Sequence, residues 1–147
     1  MPIPIIITWG IYISIAYLAV SYYTSRFRWV VATSLLVVLD MAIDPIMVSL
    51  GIWRWDIHTF IEWFGIPYTN FIGWFVVASI SVLMYDYWNK GIEPRYSNVL
   101  SVTSYLLLYL TLVVLSPMKV YIAVSYSLII ALIFLGLISI IKLYRRG

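Results

Sequence analysis

Five apolar runs, each close to the length of a bilayer crossing, follow one another along this chain with short polar breaks between them. A helix that crosses the hydrocarbon core needs roughly 20 apolar residues. In lipid the backbone must satisfy its own hydrogen bonds, so such runs fold as helices. The runs predict spans at Ile3 to Tyr23, Trp29 to Leu50, Asn70 to Tyr87, Val99 to Ser116 (stopped by Pro117) and Val120 to Leu143. The chain is 64% hydrophobic and 10% charged over 147 residues. A soluble domain of that size has too little interior to hide so much apolar surface. The expected fold is all-α: a polytopic membrane helix bundle of about five transmembrane helices, forming a single transmembrane domain over residues 1–147. Gly51 to Tyr68 is too polar for a span and too aromatic for a free loop. With Trp53, Trp55, Phe60, Trp63 and Phe64, it is expected to lie at the interface or to re-enter the membrane.

Charge placement sets the expected orientation. Arg26 and Arg28 follow the first run, Lys90 and Arg95 the third, and Lys142, Arg145 and Arg146 end the chain. The opposite side carries Arg54 and Lys119. Basic residues concentrate on the cytoplasmic side of membrane proteins. This places the N-terminus outside and the C-terminus in the cytoplasm of an integral cell-membrane protein, and an odd number of spans agrees. The N-terminal run has no charged leader and no small-residue cleavage site, so it reads as a first span. Scattered loop charges make no nucleic-acid surface. With no cysteine, disulfides, thiolate metal sites and a nucleophilic Cys are all excluded.

Within the second run, in the stretch LDMAIDPIMVSLGIWRW, stand Asp40 and Asp44. They are one helical turn apart and share a face. A charged Asp at the centre of a membrane helix costs roughly 2.5–3.5 kcal/mol on insertion scales. Burial and mutual repulsion both favour the neutral form of a carboxyl. The pair is therefore expected to hold a proton and serve as a general acid. Helix-packing carboxyls bonded to neighbouring spans are the plainer alternative. Pro45 removes a backbone N–H, so a carbonyl about one turn back should be freed and the helix kinked beside protein or a wet pocket. Asn70, at the start of the third run, can bond a carboxyl or a water. Gly73 beside it allows close approach of a helix or a flat ligand, with Trp74 next in sequence.

The remaining acids read more simply. Asp56, Glu62 and Glu93 are expected as surface charges, and Asp86 as a span-end residue that snorkels or pairs with Lys90. His58 stands four residues before Glu62, and a surface pair explains it better than a metal. The Asp-x-x-x-Asp spacing also occurs where carboxylates hold magnesium on a diphosphate. That chemistry needs a second acidic cluster and basic groups, which the spans lack. A proton channel needs a polar relay across the membrane, and one helix face does not supply it.

DMAIDPIMVSLGIWRW followed by FGIPYTNFIGWF resembles the integral-membrane carotenoid biosynthesis family, of the bisanhydrobacterioruberin hydratase and carotenoid 1,2-hydratase type. Its motifs match Asp40, Asp44, Pro45, Gly51, Trp53, Trp55, Gly65, Pro67, Asn70, Phe71, Gly73 and Trp74. The opening PIPIIITWG resembles the family's first matching span, and the motif likeness runs to about Tyr87. The resemblance implies hydration of a terminal C=C bond of an acyclic carotenoid or other polyisoprenoid, with no cofactor. In that reading Asp40, Asp44 and Asn70 are catalytic, and Trp53, Trp55, Trp74 and Gly73 bind substrate. Pro45, Gly51 and Pro67 are structural. Family members also carry upstream spans, with a glutamate and a Thr-Gly-x-Pro-Phe-Gly-x-Tyr stretch, that this chain lacks. A second membrane subunit, making this chain half of a split hydratase, is the corresponding expectation. The competing class is a non-catalytic membrane subunit that binds carotenoid, lipid or a partner.

Overall fold

A computed structural model describes residues 3–23, 27–57, 59–88 and 99–144. Five helices form where the apolar runs predict them: α1 (Ile3–Ser21), α2 (Arg28–Ser49), α3 (Tyr68–Trp88), α4 (Val99–Leu115) and α5 (Tyr121–Tyr144). A short 3-10 turn, Met118–Val120, leads into α5 after Pro117. Among the described residues, α2, α3 and the continuous Met118–Tyr144 segment are long and apolar enough to cross a membrane. The 17-residue α4 reaches only about 26 Å at 1.5 Å per residue.

The second helix is the axis of the bundle. It packs against α1, α3, α4 and α5. Leu35, Leu39 and Ala42 of α2 are fully buried, with Tyr105 of α4 and Val124 and Ala131 of α5 in the same core, while Leu36 is buried in a second cluster with Trp9 and Ala78. The third helix touches α1 and α2 and leaves Ile72, Val76, Ile80 and Leu83 exposed.

The sequence after α2 shows why the chain turns back here. Gly51 adopts φ +69°. Its N–H bonds the Val48 carbonyl and that of Ile52 bonds Met47, each at 3.0 Å. That pair of bonds is a Schellman ending, which needs a left-handed residue, and glycine takes that conformation without a Cβ penalty. The aromatic segment then runs without helix into a two-stranded hairpin, β1 (Glu62–Trp63) and β2 (Ile66–Pro67), in register Glu62↔Pro67 and Trp63↔Ile66. Phe64 and Gly65 make its turn with φ +51° and +82°, both positive as the tight hairpin turn demands. The turn thus lies at Phe64–Gly65, and Pro67 stands beyond it, in β2 just before α3.

At the other end of the bundle a polar cluster ties three helices together. Arg28 donates to the Tyr17 hydroxyl at 2.6 Å, and Tyr17 donates to Asp86 at 2.5 Å. The guanidinium and the Asp86 carboxylate are 3.6 Å apart. This corrects the expectation for Arg28 and gives Asp86 partners that the sequence did not indicate. Arg28 is the first residue of α2 and is buried, not a loop charge. Asp86 pairs across helices with Arg28 and Tyr17, because the bundle brings them into reach; Lys90 lies outside the described residues. Lys142 of α5 sits 3.3 Å from the Tyr22 ring centroid and donates to the Tyr22 carbonyl. Arg26, Glu93, Arg95, Arg145 and Arg146 also lie outside the described residues.

Candidate functional site

The site begins with Pro45. With no N–H of its own, it leaves the carbonyl of Met41, four residues earlier, without its helical donor. The Trp63 indole N–H donates to that carbonyl at 2.8 Å. The helix runs unbroken through the buried proline, and the freed acceptor ties the hairpin to the middle of α2. Because the hairpin leads directly into α3, this bond also fixes where α3 begins.

Asn70, in the first turn of α3, consequently faces α2. Its Nδ2 donates to Asp44 Oδ2 at 2.5 Å and to Asp40 Oδ2 at 3.1 Å. A primary amide has two N–H donors, so both are spent on the carboxyls, leaving Oδ1 as an acceptor. Asp40 is fully buried and Asp44 is 3% exposed. Asp40 Oδ1 is buried without a protein partner among the described residues.

The two aspartates differ in access. Asp44 lines a cavity of about 220 Å³ together with Asn70, Ile5, Arg54 and four tryptophans: Trp9, Trp53, Trp55 and Trp74. Asp40 lies behind that surface. Trp9 and Trp74 are stacked, with centroids 3.8 Å apart and planes at 13°. The indole N–H groups of Trp53 and Trp55 are buried without a partner among the described residues. A second cavity of about 320 Å³ shares Trp55, Asn70 and Trp74 with the first and continues past Thr69, Gly73 and Val77.

The structure therefore brings Asp40, Asp44, Asn70, Trp53, Trp55 and Trp74 to one place, and puts Gly73 in the adjoining cavity. Asp56 and Glu62 stand apart: Asp56 pairs with Arg54 at 2.7 Å on the surface, and Glu62 accepts the Thr59 N–H at 2.9 Å. His58 lies outside the described residues. Among the described residues no three of His, Asp or Glu gather as metal ligands do.

Sequence reasoning missed three parts. Trp9 lies in the opening stretch PIPIIITWG, but nothing there marked it as the stacking partner of Trp74. Tyr105 donates to the Leu35 carbonyl at 2.7 Å. Ser127 donates to the Val38 carbonyl and accepts from Tyr109, whose hydroxyl is 2.9 Å away. These hydroxyls hold α4 and α5 against the back of the α2 segment that carries the aspartates. Their one signal was the i, i+4 tyrosine pair on α4.

An all-helical bundle with a carboxyl–amide cluster under an aromatic cavity defines a class, and comparison with known proteins supplies its name. The chain matches the carotenoid biosynthesis protein family over residues 1–140 and belongs to that family. The match extends beyond the motifs, through α4 and most of α5. The chain is also similar to the bisanhydrobacterioruberin hydratase of Haloarcula japonica, with 34% identity over 64 residues. That stretch covers 44% of this chain and 20% of the relative, so the match spans about a fifth of the relative's length. No solved structure matches. The chain is thus a membrane protein of carotenoid biosynthesis.

Proposed function

We infer that this chain carries the acid site of a hydratase that adds water to a terminal C=C bond of an acyclic carotenoid. The observation that supports the reading best is the placement of Asp44 and Asn70 as the polar floor of a cavity walled by tryptophan. Protonated Asp44 gives its proton to the less substituted alkene carbon. The π bond breaks, a C–H bond forms, and a tertiary cation develops on the neighbouring carbon. Aromatic faces stabilise a cation held against them, and Trp9, Trp53, Trp55 and Trp74 supply those faces. Water then forms the C–O bond and returns a proton to the Asp44 carboxylate, so the net change is addition of one water. Asn70 Oδ1 is free to accept from that water. The indole N–H groups of Trp53 and Trp55 are donors for its oxygen or for the product hydroxyl. Asp40 does not touch the cavity, so its role is positioning: with Asn70 it holds the Asp44 carboxyl and shares its proton. Pro45, Gly51 and Pro67 set the backbone that brings these groups together. The reaction calls for no cofactor.

The basic residues orient the site toward the outer face, with the C-terminus cytoplasmic. All of residues 1–147 act as one transmembrane domain. The exposed apolar side of α3 supports a second reading of the assembly, in which another membrane subunit, the other half of a split hydratase, packs there. If that subunit alone is catalytic, this chain is its carotenoid-, lipid- or partner-binding companion. The test is pigment analysis of a lycopene- or bisanhydrobacterioruberin-producing host, with and without this chain and its neighbouring membrane reading frame. A hydroxylated carotenoid that depends on this chain supports the hydratase. Unchanged pigment together with stoichiometric copurification in a larger complex supports the companion role.

A further inference from the structure

The acid cavity does not end at its tryptophan walls. The adjoining cavity shares Trp55, Asn70 and Trp74 with it and runs on along α3 over Thr69, Gly73 and Val77. Asn70, Gly73, Trp74 and Val77 follow the i, i+3, i+4, i+7 spacing of one helix face. Thr69, Gly73 and Val77 are exposed on a helix that buries little of its length in the bundle. At Gly73 the trough floor is the backbone itself, and a Cβ added there would meet nothing within 4 Å. The trough from Asn70 to Val77 covers about 10 Å of α3. That is a third of a hydrocarbon core of roughly 30 Å. At one end lie Asp44 and Asn70; the other end runs out along the exposed side of α3.

We propose that this trough is a lateral entry groove for a linear polyisoprenoid hydrocarbon. The chain end slides from the bilayer across Gly73, between Trp55 and Trp74, until its terminal double bond reaches Asp44. The remainder of the hydrocarbon stays in lipid alongside α3. The inference rests on the carotenoid substrate reading above and adds the route by which that substrate arrives. It gives a use to the glycine one turn beyond Asn70 on the same face, where a long side chain would project into the trough.

The experiment is saturable quenching of tryptophan fluorescence by lycopene, using the full chain reconstituted in phosphatidylcholine vesicles. The wild-type protein is expected to show saturable quenching. Gly73→Leu and Val77→Trp, both on the exposed face, are each expected to weaken it at least tenfold. Gly136→Leu adds the same side chain on α5, also into open space, and is expected to leave it unchanged. Wild-type quenching that persists undiminished in both groove variants overturns the groove while leaving the substrate reading intact. Absence of saturable quenching in the wild type overturns the substrate reading and the groove with it.

Discussion

Trp63 donates its indole N–H to the carbonyl of Met41, the acceptor that Pro45 leaves without a helical partner. A proline inside a membrane helix ordinarily weakens it, because the freed carbonyl is costly in lipid. Here the freed group is the attachment point for the hairpin that precedes α3, and so for Asn70. An unsatisfied buried acceptor costs about 1–3 kcal/mol. Trp63→Phe is therefore expected to lower thermal stability in detergent by about that amount. Pro45→Ala restores an N–H that competes for Met41 and should loosen the hairpin. Faster proteolysis within residues 51–67 of Pro45→Ala, with α2 still protected, is the expected signature. Equal cleavage rates would mean that the tryptophan bond does not anchor the segment.

The aspartates are not equivalent. Asp44 lines the cavity and Asp40 lies behind it. A positioned general acid contributes roughly 10²–10⁴-fold. Asp44→Asn is expected to lower hydration by a factor in that range, while Asp40→Asn, acting through a neighbour, loses less. Hydroxycarotenoid formed by each variant in the same host checks the order. A greater loss from Asp40→Asn would reverse the assignment.

Asn70 holds both carboxyls with one amide nitrogen. Asn70→Leu keeps the volume and removes both donors, leaving two buried carboxyls without their partner. Loss of stability of about 2–4.5 kcal/mol is expected, about 1.5–3 kcal/mol from the bond to a charged carboxylate and about 0.5–1.5 kcal/mol from the bond to a neutral carboxyl. Asn70→Asp brings in a third carboxyl and should be worse. Thermal unfolding of the detergent-solubilised protein measures both, and the prediction fails if Asn70→Asp is the milder change.

The cluster at the opposite end makes a separate prediction. Removing one partner of a buried ion pair costs about 3–5 kcal/mol. The Asp86 side chain is 32% exposed, so solvent screening reduces that cost. Asp86→Ala is expected to destabilise by about 1–3 kcal/mol, with hydration per folded molecule unchanged, since Trp9 and Tyr17 are eight residues, or about 12 Å of helix, apart. A loss of turnover without loss of stability would tie this cluster to the chemistry instead.

The helices were legible because run length and apolarity alone decide a membrane span, and every predicted run holds a helix. The acid pair was legible because two carboxyls are costly inside an apolar run, and Asn70 because it begins the facing helix. Three features depended on contacts that no local pattern carries. Trp9 stacks on Trp74 across two helices. Arg28 reaches Asp86 only once α1, α2 and α3 are packed. The hairpin strands are two residues each, too short for an alternating pattern to register. Tyr105, Tyr109 and Ser127 sit inside apolar helices, where a hydroxyl reads as an ordinary span residue until its acceptor on α2 is seen.

The central claim is that Asp44 delivers a solvent-derived proton to a terminal alkene carbon. Membranes of a host expressing the wild-type chain, or the Asp44→Asn variant, can be incubated with lycopene in D₂O and the products read by mass spectrometry. The wild type is expected to give a hydroxylated product with one deuterium on the carbon beside the new C–O bond, and Asp44→Asn to give at least about a hundredfold less of it. An undiminished yield of the deuterated product from Asp44→Asn, or a wild-type product with no deuterium on carbon, would contradict the role of Asp44.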